Sequence, residues 1–320
     1  MKRVLIIGGA GYIGAHVAER LQKSGYSIRI FDDFSNGLER RVKGFFEDIY
    51  RGDVLDRETL VKSLAGVDSV IHLAAKKAVG ESVSNPLKYY SNNLGGTLNI
   101  LGAMVATGVE RIVFSSTAAV YAPSSKLAIE ESDPTIPLSP YGETKLLSEQ
   151  LISKVAQAEG LSAVSLRYFN VVGASRIEFG DNSRDNLVPK VFTAIRNGGR
   201  PEIYGDDYPT KDGTCVRDYI HVKDLADAHA MALKAVEHDE INEVYNVGSG
   251  TGYSVKEMIA QMSESMNLDL NPKVVGRRDG DAPQLIASTK KIESDLGWKP
   301  TSTLKEMIDS SWEAERGNLQ

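Results

Sequence analysis

The chain has 320 residues, 42% of them hydrophobic and 25% charged, with a formal net charge of −6. That length allows one large domain or two smaller ones around a sizeable core. The acidic balance excludes a global basic footprint for nucleic acid, so a bound anion must be held by a few local cations. The single cysteine, Cys215, cannot form an internal disulfide and reads as a small packed residue. The five histidines are scattered along the chain without zinc spacing, so no metal is assigned. The start "MKRVLII" imitates a signal peptide, but its apolar run is too short and meets glycines. No stretch reaches the ~18 apolar residues of a membrane span. The expectation is a cytoplasmic protein with no membrane partner.

Apolar, β-branched runs occur at Val4–Ile7, Ile28–Phe31, Val70–Leu73, Ile112–Phe114 and Val164–Tyr168. Helical patterns fall between them, near Gly11–Lys23, Arg57–Ala65, Pro86–Thr107 and Tyr141–Glu159. This alternation predicts an α/β fold, a doubly wound parallel sheet of Rossmann type with helices on both faces. After Tyr168 the rhythm changes. Residues 171–186 read as loop, followed by a helix over Leu187–Asn197 and the turn-rich "YGDDYPTKDGT". An alanine-rich helix near Val222–Ala235 and strands in "EVYNVG" and "PKVV" come next. The boundary is placed near residue 172: a nucleotide-binding domain over 1–172, and a smaller C-terminal α/β substrate portion over 173–320. Some later segments are expected to return to the first domain.

The first strand leads into "GGAGYIG" and then a helix. Gly9-x-Gly11-x-x-Gly14 fits the dinucleotide fingerprint, and Gly8 extends the series of threes. Glycines permit the tight turn and let backbone approach a pyrophosphate, whose charge faces the helix N-terminus. The next strand ends at Asp32, 18 residues after Gly14. A carboxylate there accepts hydrogen bonds from a ribose and repels a 2′-phosphate, which favours NAD over NADP. In "SPYGETK", Ser139 suits a helix N-cap and Pro140 the first helical position. Tyr141 and Lys145 then share one helix face, one turn apart. By itself that spacing is common on amphipathic helices. It gains weight because the preceding strand ends "FSST", bringing Ser115, Ser116 and Thr117 to the ligand-facing end of a parallel sheet.

With these motifs in hand, the sequence resembles the extended short-chain dehydrogenase/reductase superfamily and, within it, the UDP-glucose 4-epimerase family. The resemblance runs nearly the whole length. It includes "GGAGYIGAH", "HLAAKKAVGES", "PLKYYSNN", "FSSTAAVY", "SPYGETK", "LRYFN", "DYPTKDGTCVRDYIHV", "YNVGSG" and "RRDGD". It implies NAD held by Gly8, Gly11, Tyr12, Ile13 and Gly14, with Asp32 and Asn36 near the ribose. Asp53 and Val54 would meet the adenine side. Leu73, Ala74, Ala75, Lys77, Asn92, Ser115 and Tyr168 would complete the cofactor site with Tyr141 and Lys145. It implies Thr117, Tyr141 and Lys145 as the catalytic trio. A UDP-sugar would meet Asn170, Asn186, Leu187, Tyr204, Arg217 and Arg278, with Asp281 nearby, besides Thr117 and Tyr141. It also implies a homodimer paired through the helices Pro86–Thr107 and Tyr141–Glu159.

Two departures from the family pattern stand out. The loop between Asn170 and Asn186 is short and lacks the Gly-Glu-Asp-Pro run of well-known members. Leu285 follows "RRDGDAPQ" where some relatives carry a tyrosine that excludes N-acetylated sugars, which leaves open a hexose, an N-acetylhexosamine or a pentose. The implied activity is reversible C4 epimerisation of UDP-galactose and UDP-glucose through a 4-keto sugar, with hydride held on bound NAD. A non-catalytic NAD-sensing protein is the alternative of another class.

The chemistry asks for a basic phenol. Tyrosine titrates near ~10, and bringing it to about 7 takes roughly 4 kcal/mol of preference for the phenolate. The expectation is that the Lys145 ammonium and a positive nicotinamide ring supply it. Arg217 and Arg278 suit a diphosphate because forked donors match anionic oxygens. Tyr204 is a candidate to stack on uracil, with core packing an equal alternative. Thr117 followed by Ala118 and Ala119 lacks the acidic neighbours that water elimination needs, which argues against a dehydratase.

Overall fold

The computed structural model describes residues 1–318 except 123, 125, 184 and 279. Asp279 of the "RRDGD" phrase and Arg184 of the short loop therefore lie outside the described residues.

The chain begins β1 (Arg3–Ile7), α1 (Tyr12–Lys23), β2 (Ser27–Asp32), β3 (Asp48–Arg51), α2 (Arg57–Ser63) and β4 (Ser69–His72). Two short helices, α3 (Val79–Ser84) and α4 (Pro86–Tyr89), lead to α5 (Gly95–Thr107) and β5 (Arg111–Thr117). Then come α6 (Pro140–Glu159), β6 (Ser162–Tyr168), β7 (Asn170–Val172), α7 (Leu187–Arg196) and β8 (Glu202–Tyr204). They are followed by β9 (Val216–His221), α8 (Val222–His238), β10 (Asn242–Val247), β11 (Gly252–Ser254) and α9 (Val255–Met266). The chain closes with β12 (Lys273–Val275), β13 (Gln284–Leu285), α10 (Lys290–Leu296) and α11 (Leu304–Gly317).

Among the described residues, seven strands form one parallel sheet in the order β10-β6-β5-β4-β1-β2-β3. This is the doubly wound arrangement, with its order reversing between β1 and β4. One face packs Val17, Ala18 and Leu21 of α1 and Leu225, Ala228 and Leu233 of α8. The other packs Leu60 of α2, Ile100, Leu101 and Met104 of α5, and Ile152 and Ala156 of α6. Strands covered on both sides read as unbroken apolar runs, which is why β1, β4, β5 and β6 stand out in the sequence.

The edge strands differ. β3 has one face towards water and only four residues, and no apolar run marks it. β10 belongs to the large sheet although it follows β7, β8 and β9 in the chain, so residues 222–247 pack with the first half. The remainder forms a second core, with β7 and β9 paired, β11 and β13 flanking β9, and β8 paired to β12. Val188, Val191 and Phe192 of α7 meet Met258, Ile259 and Met262 of α9 and Met307 and Ile308 of α11. The helix expected over Pro86–Thr107 is interrupted. A π-helical turn occupies Tyr90–Leu94, and there Asn93 turns inward to bond Lys76 N, Lys76 O and the Thr144 hydroxyl. Such turns place an extra side chain on the inner face of a helix.

Candidate active site

The helix α6 starts as its sequence demands. The Ser139 hydroxyl accepts from Gly142 N at 3.2 Å, and Pro140 fills the first turn. A side chain at Gly142 would put its Cβ 2.3 Å from Ala119 O. Glycine therefore lets the start of α6 sit directly on the turn after β5. Tyr141 and Thr117 both end up buried, each 9% exposed, and the threonine hydroxyl lies close enough to the phenol to favour its phenolate. Lys145 is buried one turn on, its Nζ donating to Ser115 O at 2.7 Å over the Phe114 ring.

Burial dominates the electrostatics of the phenol within the chain itself. Burial raises the Tyr141 pKa above the ordinary phenol range, and the Thr117 hydroxyl only partly offsets this. Lys145 does not reverse it. Burial brings the ammonium itself down to about 7, with Glu149 opposing that fall. The protein alone holds a neutral phenol beside a lysine near its own midpoint. Positive charge brought close to the phenol would favour its phenolate.

Ser115 is also redirected. Its hydroxyl donates to His229 Nε2 at 2.9 Å, and the imidazole Nδ1 donates to Leu225 O, so the side chain faces the α8 layer. Only its backbone carbonyl serves the site, through Lys145. Sequence reasoning missed the partners behind it. Glu149, one turn beyond Lys145 on the same face, takes the Ser116 hydroxyl on Oε1 and pairs with Arg167, Nη2 to Oε2 2.6 Å. Arg167 also donates to the Tyr121 hydroxyl at 3.0 Å. Spacing of four from Lys145 was the available signal for Glu149; nothing local marks Arg167.

The glycine turn lies at the C-terminal end of β1, beside β4. Gly8 has φ +86°, and a Cβ there would meet Ala74 N at 2.6 Å. At Gly14 it would meet Gly8 O at 2.2 Å. Gly11 differs, since its only close neighbour is Gly8 O at 3.1 Å, which leaves its outer side free for a ligand. Gly11 is the N-cap of α1 without a side-chain cap, so the first N–H groups of that helix are open to an anion. This cradle fits a dinucleotide pyrophosphate. Asp32 is 7% exposed and accepts from Ala10 N at 2.9 Å and Phe34 N at 2.8 Å. It ties the glycine turn to the loop after β2. Each oxygen keeps acceptor capacity for a ribose hydroxyl, while burial pushes its pKa up.

The other expected cofactor residues differ in exposure. Ile13, Leu73, Ala74, Ala75 and Asn92 are half-buried, and Asn36, Asp53 and Lys77 are exposed. Val54 is buried against Gly96. Tyr168 lies near both Tyr141 and Ser115, and burial raises its phenol strongly. The Tyr12 hydroxyl turns away from the turn and donates to Gly173 O at 2.5 Å.

A cavity of about 970 Å³ opens between the halves, lined by Tyr12, Asn170, Asn186, Leu187, Tyr204, Arg217, Arg278 and Asp281 among others. That is ample for a nucleotide-sized ligand. Arg217 on β9 donates to Ala282 O at 2.7 Å and meets Asp281 at 3.4 Å. Arg278 meets the other Asp281 oxygen at 2.9 Å and lies over the Tyr204 ring at 4.8 Å. One carboxylate thus holds two guanidinium groups, leaving a net positive charge facing the cavity. Arg278 already occupies a face of Tyr204, and the Tyr204 hydroxyl is bound to Glu202. Asn186 stands at the N-cap position of α7 without a capping bond, its amide donating instead to Asp181 at 2.7 Å. Thr117 and Tyr141 are not among the cavity-lining residues.

Residues 4–248 match the NAD dependent epimerase/dehydratase family. The chain belongs to that family. Among curated members of this epimerase/dehydratase family, it is 41% identical to a UDP-glucose 4-epimerase of Halalkalibacterium halodurans, over 97% of this chain and 94% of that one. It is also 41% identical to a UDP-glucose 4-epimerase of Bacillus subtilis, over 99% and 97%. The fold superimposes on a UDP-glucose-4-epimerase from Stenotrophomonas maltophila, solved with bound NAD and formylated UDP-arabinopyranose. The TM-score is 0.96 at 36% identity, covering 100% of this chain and 99% of that one. A Bifidobacterium longum UDP-glucose 4-epimerase, solved with NAD+ and UDP, gives a TM-score of 0.91 at 38% identity over 99% of each chain.

Proposed function

We propose that the protein is an NAD-dependent UDP-glucose 4-epimerase, interconverting UDP-galactose and UDP-glucose through a 4-keto sugar. The observation that carries this reading is spatial. A buried phenol, threonine and lysine sit at the same edge of the parallel sheet as the glycine turn, and a cavity with paired arginines opens beside that edge. Similarity to UDP-glucose 4-epimerases across nearly the whole chain supports it.

NAD, when bound, supplies a hydride acceptor for C4 and a positive nicotinamide ring. The chain's own groups do the rest. Tyr141 takes the proton from the sugar 4-hydroxyl once positive charge favours its phenolate, and Thr117 orients that hydroxyl or relays the proton. Lys145, anchored on Ser115 O, adds positive charge and a donor toward the nicotinamide ribose. Arg217 and Arg278 grip the diphosphate. Epimerisation needs the hexose to turn while the nucleotide stays fixed, so firm contacts belong at the arginine end and weak ones at the sugar. Leu285 packs against the cluster formed by Ala118, Val120, Tyr121, Ile129, Phe169 and Ala287, and is smaller than a tyrosine there. Room for N-acetylated sugars is the second reading.

We assign the catalytic roles to Thr117, Tyr141 and Lys145, the cofactor to the glycine-turn half, and the UDP to the cavity. The chain is further proposed to dimerise through α5 and α6, where Leu98 and Val105 of α5 are exposed. A cytoplasmic setting suits one buried thiol, and no described helix is long and apolar enough to cross a membrane. Incubation with UDP-galactose, UDP-N-acetylgalactosamine and UDP-arabinose, with product identification, tests the activity. UDP-galactose is expected to yield UDP-glucose, and acid-denatured protein is expected to release NAD. No conversion of any sugar, with no nicotinamide released, overturns the reading.

A further inference from the structure

The short segment between β7 and α7 is held in two distinct ways. Its first part is pinned repeatedly. Gly173 N and Ala174 N donate to Ser311 and Ser310 of α11, and Ser175 N donates to His16 Nε2 at 3.0 Å. Phe179 is fully buried and packs edge-on against His16 and Phe45. The Asn318 amide holds Ile177 O at 2.9 Å. Past Phe179 the anchoring thins. There, one side chain from the nucleotide half reaches across. Arg41, 1% exposed, donates through Nη2 to Gly180 O at 2.5 Å and to Asn182 Oδ1 at 2.8 Å. Its Nε is buried without a partner among the described residues.

Residues 180–183 and 185–187 line the cavity, and Asp181 takes the Asn186 amide that begins α7. Arg41 does not line the cavity. It stands behind that wall, near Asp32 of the cofactor side and Asp181 of the loop, as the charge interactions of its guanidinium record. A buried charge with two fixed acceptors is a stiff post. Methionine in its place would remove both bonds and leave Gly180 O without its donor.

We propose that Arg41 is a positioning residue for the UDP-sugar. From the nucleotide-binding half it sets the cavity wall of residues 180–183 and 185–186, which presents Asn186 and Leu187 to the ligand. The proposal rests on the UDP-sugar reading of that cavity. It places the control of substrate affinity on a side chain that touches neither substrate nor the reacting atoms.

The test measures UDP affinity by calorimetry, KM and kcat with UDP-galactose, and NAD released per chain. Wild type is compared with Arg41→Met, Asn182→Ala and the double variant. In Arg41→Met the UDP dissociation constant and KM should both rise about tenfold, the scale of one lost charge-assisted hydrogen bond. The kcat and the NAD content should stay within about twofold. Asn182 is exposed, so Asn182→Ala is free of folding risk and should raise the same two constants about threefold. The double variant should be no worse than Arg41→Met, because both changes break one connection. Unchanged UDP affinity and KM in both single variants overturn the proposal. So does loss of NAD in step with affinity, which would make Arg41 a cofactor residue. Wild-type protein that binds no UDP sinks the UDP-sugar reading and this proposal together, whereas wild type that binds UDP with variants that match it sinks only this one.

Discussion

The two halves of the molecule solve binding with different materials. The nucleotide half uses backbone. Gly8 and Gly14 are packed so closely that a Cβ would overlap main-chain atoms, and Asp32 is spent on two backbone N–H groups. The substrate half uses long side chains held by one another, with Arg217 and Arg278 sharing Asp281 and Tyr204 tucked beneath Arg278. A backbone cradle holds a resident ligand in one geometry. A wall of arginines can grip a diphosphate and leave the sugar beyond it free to turn. The difference follows from the reaction proposed, in which the cofactor stays and the hexose moves.

The largest test strikes the point where the halves meet. Tyr141→Phe removes the only group proposed to take the 4-hydroxyl proton, and kcat should fall about a thousandfold, within the range for general acid–base groups. Bound NAD and the thermal melting point should persist, because the ring still fills its buried place. Full activity in this variant would leave Thr117 or water as the base and break the assignment.

Next comes the backbone cradle. Gly14→Ala drives a Cβ to 2.2 Å from Gly8 O, so stability should drop by about 3 kcal/mol and NAD should be lost together. Gly11→Ala meets only one atom at 3.1 Å; NAD retention should suffer while the ligand-free protein melts nearly as before. Equal melting losses in both variants would show that Gly11 is kept for packing rather than for a ligand. In the side-chain wall the pattern should invert. Arg217→Met should raise KM about thirtyfold with NAD content intact, and Arg278→Met should do less, because its side chain is 53% exposed against 16% for Arg217. A comparable loss of NAD in Arg217→Met would erase the distinction between the halves.

The same contrast decided what the sequence revealed. A glycine forced by φ +86° or by a neighbouring carbonyl leaves a visible letter, so the cradle and the sheet around it were legible. β9 was not, because its buried positions include Asp218 and His221, satisfied by hydrogen bonds that composition does not display. The helices α9 and α11 went unplaced even though each carries a capping box, Ser254 with Glu257 and Thr303 with Glu306. Candidate residues on strand ends could be named from the sequence, but not where they point. Ser115 faces His229, and the sign of the Tyr141 shift depends on burial, which one helix's spacing does not reveal.

The smallest expected effect lies beneath both halves, in two buried histidines with the same tautomer and different neighbours. His16 and His229 each donate from Nδ1 to the carbonyl four residues earlier, Tyr12 and Leu225. Each accepts at Nε2, His16 from the Ser175 backbone N–H and His229 from the Ser115 hydroxyl. Burial lowers both, His16 to about 3 and His229 to about 4. Protonation turns Nε2 into a donor. A hydroxyl can rotate and accept, whereas a backbone N–H cannot, which is a physical reason for His16 to resist the proton more. Both folded values lie below the unfolded one near ~6.5, so the unfolded chain binds the extra protons. The stability each provides is complete above that value and is lost as pH falls towards 4 and 3. Each histidine should contribute at most about 1.4 kcal/mol per pH unit to the acid slope of stability. Urea unfolding between pH 4.5 and 7 should show His229→Gln removing one proton's worth of slope. His16→Gln should remove the same slope and also loosen Ser175, adding a pH-independent loss. Identical behaviour of the two variants at pH 7 would mean that the Ser175 bond, and with it that tie between the halves, is worth no more than the Ser115 bond to His229.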